Sequence, residues 1–279
     1  MKRKLFCEIS PTCYKISVEK ERLKRNIKNT LNKNKLATEH KKEELPVIVK
    51  GHTSIILRKL HNVDMQLQIN KKTNLMIAAK KINGLIIHPG EIFSFWYTVG
   101  EATRKYGYKE GLVISKTGFT KDIGGGLCQL ANMIHYLVLN SPLEVVELHH
   151  HSDALFPDDR RRVPFGTGTS VFYNYLDYRF ENTTNQDVQL LLWTDDEVLY
   201  GELRSEKEFP YRYKLEEINH HFQKEGDKYY RISQVYRITI DKSTNKEINR
   251  EMILDNHSEV MYDYSLIPEH EIRNDENAK

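Results

Sequence analysis

The sequence predicts an α+β fold in which few helices pack on mostly antiparallel strands. Helical periodicity is confined to three stretches, near residues 20–36, 73–82 and 127–139. Residues 188–194 and 198–203 read as a hairpin across Asp195-Asp196, and strand-like runs dominate from there to residue 252. No repeat of fixed period appears, so a solenoid or a regular βαβ succession is not expected.

Each element has its own signal. Residues 20–36 carry Leu23, Ile27 and Leu31 four apart, a thin apolar stripe on a basic helix that Pro46 follows at a distance. Residues 47–49 and 55–60 are short strand or helix candidates. Thr73 is a plausible N-cap for a helix with Leu75, Met76, Ala79 and Ile82 on one face, stopped by Asn83-Gly84. Residues 85–87 and 91–99 then read as strands around the Pro89-Gly90 turn, the second rich in aromatics. Such a run can line a binding wall that includes Trp96, although core packing is the commoner use of aromatics. Residues 112–115 form a short strand. Residues 127–139, with Leu130, Met133, Ile134, Leu137 and Val138, predict a largely buried helix ended by Asn140-Ser141-Pro142. Residues 145–148 form a β-branched strand running into His149, His150 and His151. Residues 169–180 alternate like a strand, and Asn182-Thr183-Thr184-Asn185 is a turn. The divisions expected are a basic lead-in over 1–46, a core over 47–204, and a strand-rich extension with a charged tail over 205–279.

Composition bounds the function classes. The 279 residues, 39% hydrophobic and 29% charged, suit one large domain or a core with an appendage. No run approaches the roughly 18 apolar residues of a membrane span, and the first residues lack a secretory apolar block, so a cytoplasmic location is expected. Three cysteines, Cys7, Cys13 and Cys128, form no dense framework, so structural disulfides are not expected. The net charge is +3, yet residues 1–62 hold 16 Lys and Arg against 6 Asp and Glu. Such a basic front can meet an anionic membrane surface or a nucleotide-linked precursor, while a solvated helical face is its commoner use. No aromatics are interleaved to stack bases, so nucleic acid is not an expected partner.

The chemistry concentrates in residues 123–151. Gly124, Gly125 and Gly126 precede a helix, where glycine lets backbone N–H groups converge on a small volume. Cys128 falls in the first helical turn, where the helix dipole favours thiolate, and Gln129 can support an oxyanion. A histidine strand beside that helix would supply a base. A buried, inert cysteine fits the same residues. The P-loop and the full G-x-G-x-x-G are absent, so no nucleotide cofactor is expected. Strand alternation puts His149 and His151 on one face and His150 on the other. Those two histidines with Cys128 or Asp153 contain ligand types for zinc, but H-E-x-x-H and C-x2-C spacings are missing, and no metal is expected. His135, two turns from Cys128, is expected to be structural.

The runs Pro89-Gly90-Glu91-Ile92-Phe93-Ser94-Phe95-Trp96, Gly107-Tyr108-Lys109-Glu110-Gly111, Ile123-Gly124-Gly125-Gly126-Leu127-Cys128-Gln129, His149-His150-His151-Ser152 and Tyr173-Asn174-Tyr175-Leu176-Asp177 follow one another in that order. Together they resemble the VanW family of vancomycin B-type resistance accessory proteins. The likeness spans about residues 47–204 and implies an association with cell-wall peptide metabolism, with a peptide-like or peptidoglycan-precursor ligand. It favours His149 and His151 over His150. Many longer members carry an acidic residue where this chain has Gly168, which leaves Asp177 as the available carboxylate. The expected roles are Cys128 as nucleophile, His151 or His149 as base, Asp177 as orienter, and Gln129 with the Gly126 region as oxyanion support in a thiol-dependent amidase, peptidase or acyltransferase. Arg161, between Arg160 and Arg162, can receive a ligand carboxylate or phosphate. Element order suggests a core similar to papain or transglutaminase folds. The rival expectation is a non-catalytic binding or scaffold module for a peptidoglycan precursor.

Overall fold

The computed structural model describes residues 5–57, 64–115, 118–150, 153–154, 157, 164 and 167–273. Two of the predicted site residues, His151 and Arg161, lie outside them, as do Arg160, Arg162 and Ser152.

The fold is α+β. Helix α1 (Pro11–Leu31) starts where Ser10 Oγ accepts from Cys13 N at 3.1 Å, with Pro11 at the position that needs no N–H. Strand β1 (Val47–Ile55) follows, then α2 (Met65–Ile82), β2 (Leu85–Ile87), β3 (Ile92–Ser94) and the single-turn helix α3 (Phe95–Val99). The hairpin β4 (Glu110–Ser115) and β5 (Gly118–Ile123) leads through the glycine turn into α4 (Cys128–Leu139). Next come β6 (Glu144–Glu147), β7 (Asp153–Ala154), β8 (Arg179–Glu181), β9 (Val188–Thr194) and β10 (Val198–Ser205). Three long strands, β11 (Tyr211–Glu225), β12 (Lys228–Asp241) and β13 (Glu247–Val260), and the short β14 (Ile272–Arg273) complete the chain.

The central sheet has the order β1-β10-β9-β2 and is antiparallel throughout. Its β9–β10 turn is closed by Asp195, whose Oδ1 accepts from Glu197 N at 2.8 Å and Val198 N at 2.7 Å. Leu75, Ala78, Ala79 and Ile82 of α2 join Leu130, Ile134, Leu137 and Val138 of α4 in one buried core with Leu190, Leu192, Leu199 and Leu203. Burying each Leu or Ile in this way contributes about 1.5–3 kcal/mol. A smaller sheet, β3-β8-β6, joins the same core through Phe93 and Phe180 and brings β6 beside the future site. The sheet β14-β11-β12-β13-β7 has a small buried cluster of its own: Ala154, Phe222, Val260 and Ile267. It is tied to the end of α4 by Arg237, which donates to Leu139 O at 3.1 Å and to Ser141 O, filling carbonyls that a helix C-terminus leaves open. Among the described residues no helix is long and apolar enough to cross a membrane.

Three segments differ from their sequence reading. Helix α2 begins at Met65, capped by Asp64, eight residues before Thr73, because the buried Lys71 and Asn74 interrupt the apolar spacing. Residues 91–99 do not stay extended: Ser94 Oγ accepts from Tyr97 N at 3.2 Å and starts α3. Residues 169–180 are not one strand, since Asn174 turns the chain at φ 48° and only β8 is regular. Leu23, Ile27 and Leu31 of α1 face outward.

Candidate functional site

The glycine turn is held from α2. Asn74, fully buried, donates to Lys109 O and Gly125 O, each at 3.0 Å, and accepts from Lys109 N at 2.8 Å. Gly124 N donates to Lys109 O at 3.0 Å and Gly125 N to Asp122 O at 3.1 Å. Gly125 lies flat on Gly111, where an added Cβ would come within 2.2 Å of the Gly111 carbonyl carbon. Gly126 has φ +94°, a conformation L side chains rarely adopt, and presses on the Lys71 stem. The turn therefore exists for close packing of β4, α2 and α4, and two of its amides are already spent, on Lys109 and Asp122.

Cys128 opens α4 as the spacing predicts, but its surroundings are apolar. Its Sγ lies 3.8 Å from Val171 O and it packs against the main core. Burial pushes the thiol pKa up, with backbone groups of Val171 and Cys128 itself pulling weakly the other way. Gln129 turns its amide to β1, donating to Ser54 Oγ and Ile55 O, both at 2.9 Å. Trp96 is buried, its indole N–H donating to Leu176 O at 2.9 Å and its ring edge-on to Tyr173 at 5.6 Å.

Asp177 is fully buried and saturated. It accepts from Ser94 Oγ at 2.6 Å, Arg179 Nε at 2.7 Å, and the amides of Trp96 and Tyr178 at 3.0 Å each. His149 pairs instead with Glu147, Nε2 to Oε1 at 3.0 Å. Glu147 also takes both terminal nitrogens of Arg25, at 2.5 and 2.6 Å, and lies 3.6 Å from Arg179 Nε. Burial alone would raise the Glu147 pKa, yet Arg25 and His149 more than offset it and hold the carboxylate below its usual range. Arg179 Nη2 reaches Asn29 Oδ1 at 2.6 Å, so α1 supplies two members of this network.

Residues 169–171 run between these halves. Thr169 N donates to Asn132 Oδ1 at 2.6 Å on the α4 side, and Ser170 N donates to His149 O at 2.6 Å on the other. His150 forms an isolated bridge with Thr169. The structure thus joins His149 to Glu147 directly and, through that carboxylate, to Arg25, while Cys128 meets the intervening backbone. A Cβ at Gly168 would meet Asn132 Nδ2 at 3.3 Å, so a side chain there would point at α4 one turn beyond Cys128. Sequence reasoning missed Glu147, Arg179, Arg25 and Asn29. Strand alternation was a usable signal for Glu147, two residues before His149; nothing local marks Arg25, 122 residues from its partner.

The family profile described as "VanW like protein" matches residues 70–204. The Vancomycin B-type resistance protein VanW of Enterococcus faecalis is 30% identical over 204 residues, covering 72% of this chain and 74% of that protein. The chain belongs to the VanW family. The uncharacterized protein YoaR of Bacillus subtilis is also similar, 31% identical over 119 residues, which are 43% of this chain and 38% of YoaR. No solved structure matches the chain. The family segment contains the glycine turn, Cys128, Glu147, His149 and Asp177, whereas Arg25 and Asn29 precede it. In this VanW-like chain the buried network is therefore completed from outside that segment.

Proposed function

We propose that the chain is a recognition module for a peptide-like cell-wall precursor, contributing to resistance of the kind for which its Enterococcus relative is named, with Cys128 a packed thiol. The observation that supports this over thiol catalysis is the state of Cys128. A reactive cysteine occupies an electropositive, partly exposed place that favours thiolate. Cys128 is itself partly exposed, but it packs against the apolar core, and desolvation there favours the neutral thiol. Two of the groups that catalysis would recruit are committed elsewhere: Gln129 to β1, Asp177 to Arg179 and Ser94. Gly168 offers no carboxylate.

The test uses a Cys7→Ser/Cys13→Ser background, so that a thiol reagent reports Cys128 alone. Cys128 is expected to titrate above the ordinary thiol value of about 8.5. Cys128→Ala should retain calorimetric binding of a soluble peptidoglycan-precursor pentapeptide. Rapid labelling at neutral pH, or no binding by the parent protein, overturns the reading.

A second reading, a thiol-dependent amidase, peptidase or acyltransferase, is favoured by the Glu147–His149 pair, an acid holding an imidazole across residues 169–171 from Cys128. In that case His149 takes the thiol proton as sulfur attacks the carbonyl carbon, and returns it to the leaving amine. Precursor turnover lost in both Cys128→Ala and Glu147→Gln would establish it.

A further inference from the structure

Helix α1 is amphipathic in the reverse sense. Apart from the buried Val18, its inward face is polar: Arg22 Nε donates to Tyr173 O at 3.2 Å, Arg25 grips Glu147, Asn26 Oδ1 accepts from Asn174 at 2.6 Å, and Asn29 Oδ1 accepts from Arg179. Its outward face carries Ile16, Leu23, Ile27 and Leu31, exposed by 54%, 61%, 54% and 79%. At 3.6 residues per turn these four fall within an arc of about 80°, opposite Arg25 and Asn29. A helix on a globular protein ordinarily turns its apolar stripe to the core. Here the core side is already satisfied by ion pairs and amides, so the stripe is left for an external apolar medium.

Charge indicates which medium. Lys20 and Lys24 lie in or beside the apolar arc and Lys28 on its flank, all exposed. Lysine stems lie along an apolar surface while their ammonium groups reach outward, the arrangement that suits a helix lying in an anionic lipid interface. A second copy of the chain fits less well. An isologous contact would oppose the lysine ridges, and four aliphatic side chains fall short of the roughly 800 Å² per partner of a stable interface. We propose that α1 docks the protein on an anionic lipid surface, with Ile16, Leu23, Ile27 and Leu31 in the acyl boundary and Lys20, Lys24 and Lys28 at the headgroups. The Arg25–Glu147–His149 network then lies beneath α1, roughly one helix diameter of 10 Å from the lipid.

Co-sedimentation of the full chain with vesicles tests this, using phosphatidylcholine alone and phosphatidylcholine with an equal part of phosphatidylglycerol. The protein is expected to bind the anionic vesicles, to ignore the neutral ones, and to be released by salt. A combined Leu23→Gln/Ile27→Gln/Leu31→Gln variant should bind at least about tenfold more weakly. Lys20→Glu/Lys24→Glu/Lys28→Glu should lose binding as well and decides the matter should the glutamine variant fail to fold. Absence of vesicle binding, binding unchanged by either variant, or a concentration-dependent dimer that the glutamine variant disperses overturns the proposal.

Discussion

The strongest single-residue commitments are buried charges. Asp177 and Arg179 face each other at 2.7 Å with almost no water access. Removing one partner leaves the other charge uncompensated, so Arg179→Met should lower the urea-extrapolated unfolding free energy by about 3–5 kcal/mol. The Asp177→Asn/Arg179→Met pair should lose less than Arg179→Met alone, and a loss equal to the sum of the two single losses would show that the two charges are not coupled. His135 offers a pH test. Burial, aided slightly by His150, pushes its pKa down to about 3, and its Nδ1 lies 3.1 Å from the Tyr178 hydroxyl. The unfolded histidine protonates near 6.5 while the folded one stays neutral, so stability should fall by about 1.4 kcal/mol per pH unit below that point. Glu147, whose folded pKa is lowered, adds stability that is present above the ordinary carboxylate range and lost as the pH falls through it. Urea titrations of His135→Gln across that window should show a shallower slope by about one proton; an unchanged slope removes His135 as the cause.

At the scale of elements, the glycine turn and α4 act as a packed joint. Gly125→Ala must part β4 from the turn, and a loss of about 1–3 kcal/mol or more is expected from overpacking. A thermal melt indistinguishable from the parent would refute the close-packing account. Gln129→Ala removes the tie from α4 to β1 and should cost about 0.5–1.5 kcal/mol, the net worth of ordinary hydrogen bonds, because solvent reaches the Ile55 oxygen. The start of α4 was legible in the sequence because three glycines and an apolar 3.6-residue period sit side by side. The start of α2 was not, because Lys71 and Asn74 are polar residues spent on an inner contact, and periodicity treats a polar residue as facing solvent.

Across the whole molecule, stability is unevenly distributed. Strand β9 is buried along most of its length and β10 at alternate residues, both packed on the α2–α4 core, whereas the first half of β13 is exposed and the second sheet rests on a four-residue cluster. Hydrogen exchange should therefore be slowest in β9 and clearly faster in the first half of β13. The reverse order would show that the long-stranded sheet, rather than the α2–α4 core, is the stable unit.

The sequence by itself determined the class of fold, the β9–β10 hairpin, helix α4 and the position of Cys128 at its start, because each rests on local periodicity or turn chemistry. Its motifs also carried the family. Tertiary structure alone decided that Cys128 is packed in apolar surroundings, that Asp177 serves Arg179, and that Glu147 holds His149. It alone turned the polar face of α1 inward and its leucines and isoleucines outward. The reason is that pairing of buried charges depends on which distant segments the fold brings within about 3 Å. Burial then sets the proton on a thiol or an imidazole, and neither distance nor burial is written in local spacing.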